Sequence, residues 1–335
     1  MASVRNERRN WGAVQEMNIL YVTTKKYYDT KMSRVRFHGM KEIAKLCNFR
    51  MSGIGFPDWD NSKDFNDNVD SLEFEPDLIV AYPAFAPEPE NHFRGIQDSR
   101  WPLCIRYNEM YNIEATKKEI ESANANLVIC HHENEMQFYP EMEFKQGKVE
   151  FVHIPHSADS GIYYPDSSAE VKYDVMLGGM VQGHYPLRTF LQKNMHAICK
   201  DMRWRILEHP GYNRPGASDN IYAKEFADNI RSTKIFLTCS GIPRTRYAKY
   251  VEVPACGVSI AADMPYEDEE NISKFLINID VSMGVDGIRE RLMYYLDNEA
   301  DRQVLIRNGI DWASKYTQEK YAEKFISAAR EFLAK

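Results

Sequence analysis

The sequence predicts an α/β protein built from two doubly wound domains, and three observations lead there. Apolar segments of strand length recur with helical or loop segments between them, the alternation that builds a parallel sheet. The series pauses near Pro155–Pro165 and begins again at Tyr173. At 335 residues the chain exceeds what one typical core fills and suits two domains of ordinary size.

Residues 1–16 form a charged extension without an apolar h-region, so no signal peptide is expected and the chain reads as cytoplasmic. Met17–Thr24 is the first strand, followed by a polar loop and a helix through His38-Gly39-Met40 to Cys47. Further strands are expected at Arg50–Phe56, Asp77–Ala81, Leu103–Tyr107, Asn126–Cys130 and Val149–Ile154, completing a domain over 17–160. Such a sheet opens its ligand crevice at the carboxyl ends of its strands.

The second domain, 166–314, opens with Tyr173–Gly179, where Gly178 and Gly179 allow close backbone approach to a ligand. Arg188, early in the next helix, is placed to meet that ligand's phosphates. Strands at Trp204–Leu207, Lys234–Cys239, Val258–Ala262 and Phe275–Ile279 follow. The connection Glu208–Asn220, rich in Pro, Gly and Asn, has the length of a binding loop. After a helix over Gly287–Asp297, two closing helices space Leu305, Ile310 and Trp312, then Tyr321, Phe325, Ala328, Ala329 and Phe332, as core faces. The last, about 315–335, is expected to pack back on the first domain.

Composition narrows the function. A net charge of −7 argues against general nucleic-acid binding. The cysteines, Cys47, Cys104, Cys130, Cys199, Cys239 and Cys256, are scattered without a CxxC pair and read as reduced core thiols. No run is long enough to span a membrane, so substrates are met in the cytosol or peripherally at a membrane surface. Asp58-Trp59-Asp60 has the acid-x-acid form that can hold a divalent cation, but beside Pro57 in an early loop it reads as a solvated turn. No metal site and no cofactor are expected.

The chemistry concentrates in residues 244–263. Arg244, Arg246 and Lys249 surround the start of a helix expected from about Tyr247 to Ala255, before the small-residue turn Pro254–Gly257 and an apolar strand. Three cations beside a helix N-terminus suit a diphosphate. Glu252, three residues after Lys249 and on its face, can accept two hydroxyls of a ribose. A solvated helix carrying a salt bridge is the other reading of these residues.

Three segments in this order resemble the GT-B class of nucleotide-sugar glycosyltransferases, most closely its spore-maturation CgeB-type members. Phe151–Asp159 followed by Tyr164-Pro165 is similar to the hinge phrase of that class. Tyr173–Gly179 with Tyr185–Arg188 resembles its donor-domain opening, and Lys249–Gly257 its Phe-Glu-x-x-Ala-x-Gly signature. The resemblance implies two Rossmann-like β/α/β domains facing a central cleft, the first for an acceptor and the second for a nucleotide-sugar donor. Carried onto these positions, Glu252 binds the donor ribose, while Gly178, Gly179, Arg188 and Arg246 face the diphosphate. Retaining members often carry a Glu eight positions before the ribose Glu; here that position is Arg244, a cation suited to neutralising the leaving diphosphate in place of a metal ion.

The acceptor's base should come from the first domain's strand ends. Glu109 is the first candidate and His131 the second, with His38 also in range. Tyr27, Tyr28, Tyr82, Tyr107 and Tyr111, near the same ends, offer rings for sugar faces or for core edges. The expectation is a metal-independent glycosyltransferase acting on a glycan or glycoprotein hydroxyl. A nucleotide-sugar 2-epimerase of the same fold and a non-catalytic two-lobed binding protein are the rivals.

Overall fold

The computed structural model describes residues 17–30, 37, 39–82, 92–211, 213–216 and 221–335. In chain order the first half contains β1 (Asn18–Val22), α1 (Lys25–Thr30), α2 (Met40–Ile43), β2 (Asn48–Ser52), α3 (Phe65–Ser71), β3 (Leu78–Ala81), β4 (Leu103–Tyr107), α4 (Ile113–Ala123), β5 (Leu127–Cys130), α5 (Glu133–Met136) and β6 (Glu150–His153). The second half contains β7 (Tyr173–Gly178), α6 (Pro186–Ile198), β8 (Trp204–Leu207), α7 (Ile221–Arg231), β9 (Thr233–Leu237), α8 (Lys249–Ala255), β10 (Ser259–Ala262), α9 (Glu269–Ile272), β11 (Leu276–Asn278), α10 (Gly284–Asp297), α11 (Glu299–Ala313) and α12 (Gln318–Leu333).

Two parallel sheets result, ordered β2-β1-β3-β4-β5-β6 and β11-β10-β9-β7-β8. Side chains alternate between sheet faces, and both faces are covered, so consecutive residues of one strand enter different cores. Leu20 and Val22 of β1 join one cluster with Phe65, Val69 and Ile120, whereas Ile19 and Tyr21 join another with Met40 and Ile43. The second sheet repeats this: Met176 packs with Tyr250 and Val251 of α8, Val175 and Leu177 with Leu187 and Leu191 of α6.

The fold is therefore α/β with two Rossmann-like domains. The closing helix crosses from the second half of the chain back to the first domain. Tyr321, Ala322, Phe325, Ile326 and Ala329 of α12 lie in the first domain's core with β1 and β3. Thr317 caps α12 by accepting from the Lys320 N–H, and an isolated bridge between Ala158 and Thr317 ties the helix start to the interdomain connection. Among the described residues, no helix is long and apolar enough to cross a membrane.

Three boundaries differ notably from expectation, the first being β2, expected at Arg50–Phe56 and found at Asn48–Ser52. The helix holding Glu252 begins at Lys249, not Tyr247, because residues 240–248 fold as turns in which Arg244 takes a left-handed φ of 54°. The helix expected over Gly287–Asp297 is α10, which starts three residues early at Gly284.

Candidate functional site

A cavity of about 290 Å³ lies between the domains. Its second-domain wall includes Gly179, Arg188, Leu207–Pro210, Phe226, Lys249 and Glu252, its first-domain wall Asn108 and Glu109, and its floor His156 and Ser157 of the connection. The wall forms where β7 meets its neighbours β8 and β9, strands that depart to opposite sides; such a switch point opens a crevice.

Gly179 explains how the cations converge. Its φ of 113° is a conformation side chains avoid, and a Cβ there would sit 2.5 Å from an Arg188 guanidinium nitrogen and 3.1 Å from Lys249 Cε. Arg188 is buried, donating to the Met180 carbonyl at 2.7 Å and lying 3.8 Å over the Tyr185 ring. Burial, and then the Arg188 charge, push the Lys249 ammonium pKa down. Two cations pressed together in a hollow make a site whose electrostatics favour an anion. Gly178 is close-packed instead: a Cβ there would run into the Phe236 ring, so this glycine serves the sheet and not the cavity.

Glu252 stands one turn into α8 beside these cations. Burial raises its pKa, while Lys249 and the hydroxyl of Tyr163 act in the other direction. A carboxylate held in a cavity by one hydroxyl partner retains acceptor capacity for more.

The guanidiniums of Arg244 and Arg246 do not line this cavity, which corrects their expected place at the diphosphate. Arg244 pairs with Asp263 at 2.9 Å, and that carboxylate also accepts from Ser240 N and Oγ. Arg246 is buried 4.4 Å over the Tyr316 ring and 5.2 Å over Trp312, with Glu267 at 3.9 Å. The cause is the turn before α8: without a helical repeat, these residues do not share the face of Lys249.

His131 is likewise corrected. It is buried, its Nδ1 donating to the Ile154 carbonyl at 2.8 Å and its ring stacked on His156 at 4.7 Å, and it is no part of the cavity wall. His38 lies outside the described residues. Glu109 does reach the wall, next to the Tyr247 phenol, whose pKa is raised first by burial and then by the Glu109 charge. Of the five tyrosines considered, Tyr28 and Tyr82 pack on Phe37 and Tyr27 on Tyr82, Tyr107 is partly buried against the core, and Tyr111 stands exposed at the cleft.

A chain of polar contacts beneath the cavity was not foreseen. Glu135 accepts from Met110 N and from Thr245 Oγ1 at 3.1 Å, lies 3.1 Å from His132 Nδ1, and His132 Nε2 lies 2.9 Å from His156 Nε2. Burial works against the Glu135 carboxylate, but His132 and these donors hold its pKa below the usual range. The chain ties both domains to the connection. His132-x-x-Glu135 spacing was the available signal, since it places two side chains on one helical turn; the Thr245 partner, 110 residues away, had none.

Among the described residues, no group of three or more His, Cys, Asp or Glu side chains is placed to hold a metal ion. Asp58 binds Arg50 and Ser52, and Asp60 binds the backbone and hydroxyl of Ser62, as a turn requires.

No family model and no curated protein matches the chain. Solved structures do. Sucrose-phosphate synthase from Thermosynechococcus elongatus matches with TM-score 0.61 at 11% identity, covering 95% of this chain and 99% of that one. HepE of Anabaena in complex with UDP-glucose matches with TM-score 0.57 at 11% identity over 94% of this chain and 100% of the other. An α-glucosyltransferase in complex with UDP and a 13-mer DNA gives 0.61 at 10% identity, covering 94% and 100%. Agreement over almost all of each chain shows the class of fold: this protein has the two-domain GT-B fold. That fold is found with DNA in the third match, so the expectation of no nucleic-acid partner rests on the net charge alone.

Proposed function

We propose that the chain is a glycosyltransferase that moves a sugar from a nucleoside diphosphate to a hydroxyl of a glycan or glycoprotein in the cytoplasm, without a metal ion. One observation carries this: Gly179, Arg188, Lys249 and Glu252 line one wall of a cavity whose opposite domain contributes Glu109. In this reading the diphosphate lies on Gly179, and Arg188 and Lys249 neutralise the charge that grows as the bond from anomeric carbon to phosphate oxygen breaks. Glu252 accepts the ribose hydroxyls. Glu109 takes the acceptor proton while the acceptor oxygen bonds to the anomeric carbon. The apolar surfaces of Leu207, Pro210 and Phe226 flank the space left for the nucleobase.

The test is a thermal-shift screen against UDP, GDP, dTDP and CMP sugars, followed by transfer assays with and without EDTA. A ligand at about a hundred times its dissociation constant stabilises by about 3 kcal/mol. No shift with any nucleotide sugar would refute the reading. Activity lost to EDTA would remove its metal-independence, and turnover of the donor without an acceptor would favour an epimerase.

A further inference from the structure

We infer that the mouth of the cavity beside Glu109 is a subsite for an uncharged sugar of the acceptor, an inference that rests on the transferase reading above. Tyr111, two residues after Glu109, is 53% exposed. Its ring lies on that of His184 with centroids 4.8 Å apart and planes at 35°, so a first-domain ring and a second-domain ring meet across the cleft. Tyr185 extends the surface, edge-on to His184 at 5.2 Å and to Tyr247 at 5.9 Å. Ile242, 64% exposed, joins it through a hydrogen bond from its N–H to the His184 carbonyl.

Charge and hydrogen-bonding capacity select the occupant. Among the described residues that line the cavity, the Lys and Arg side chains are Arg188 and Lys249, both in the second-domain wall and assigned to the donor's diphosphate. A phosphorylated or nucleic-acid acceptor needs cations of its own. The mouth offers ring faces and a carboxylate instead. Beside Glu109, Asn108 Oδ1 is buried with no hydrogen-bond partner among the described residues, an acceptor that a ligand hydroxyl would satisfy. A pyranose has the complementary surface: its C–H face lies on an aromatic ring while its hydroxyls point outward to donors and acceptors.

The experiment uses the full chain and the radiolabelled nucleotide sugar that gives the largest thermal shift. Acceptors are octyl glycosides of glucose, galactose and N-acetylglucosamine, a Ser/Thr peptide and a single-stranded DNA oligomer. Label should pass to a glycoside. Tyr111→Ala should raise the glycoside KM about tenfold, in line with loss of one ring contact, with kcat and the nucleotide-induced shift unchanged. Tyr111→Phe, which keeps the ring, should retain the wild-type KM. Transfer to the peptide or DNA in preference, no use of any glycoside by a protein that binds nucleotide, or an unchanged KM in Tyr111→Ala would each overturn the subsite. Absence of any nucleotide-induced shift in the wild type would instead remove the transferase reading, and the subsite with it.

Discussion

Glu252 shows how a single side chain can favour a ligand at the expense of the unliganded fold. Burial raises its pKa above the unfolded value, so its contribution to stability is present at low pH and lost as pH rises through the folded pKa; at neutral pH the carboxylate is a net cost. Glu252→Gln should therefore keep or raise the melting temperature of the free protein at pH 7 while shrinking the nucleotide-induced shift. A variant that melts lower yet binds nucleotide normally would make Glu252 structural. His153 and His209 run the other way. Burial, then the nearby cations (Arg246 for His153, Lys249 and Arg188 for His209), depress both pKa values from 6.5 to about 4. Their stabilisation is complete above the unfolded value and drains away as pH falls toward about 4, so the melting temperature should decline from pH 6.5 to 4, and His153→Gln should flatten that decline. Melting curves at half-unit pH steps decide it. At this scale the sequence was legible where a residue sits inside a regular repeat, as Lys249 and Glu252 do. It misled at Arg244 and Arg246, whose turn has no repeat to read and whose partners Asp263 and Glu267 arrive from beyond the next strand.

Among elements, the turn after β7 is the most constrained. Gly179→Ala must place a methyl group between Arg188 and Lys249 at a positive φ, so it should abolish the nucleotide-induced shift, while Gly183→Ala, whose Cβ meets nothing within 4 Å, should leave it intact. Equal effects from the two would mean that the turn's flexibility, and not the cation pocket, matters. Strands other than β2 could be placed within a residue or two from apolar runs alone, because parallel strands buried on both faces have no polar side to blur them; β2, a half-exposed edge strand, ends at Ser52, four residues before the expected Phe56. The α5 segment resisted: it is one turn long, and its value comes from Glu135 and its contacts with Thr245 and His132 rather than from any pattern of its own.

At the scale of the molecule, the two lobes are visible in the sequence as two β/α series, whereas the cleft between them is not, since its walls are assembled from residues up to about half the chain apart. The closing helix adds a constraint. A chain ending at residue 314 loses Tyr321, Phe325, Ile326 and Ala329 from the first domain's core and uncovers β1 and β3. Such a truncation should melt at markedly lower temperature or aggregate, and the first domain's residues should lose amide protection before the second's. Cooperative melting at the full-length temperature would contradict the packing of α12.

The return of α12 also sets a timetable for synthesis. A nascent chain can finish its second lobe while its first, although translated earlier, still lacks a helix that has yet to leave the ribosome. The amino-terminal lobe must wait, its apolar sheet face uncovered, until residues 318–333 have been made; chaperone demand during that interval belongs to the lobe made first.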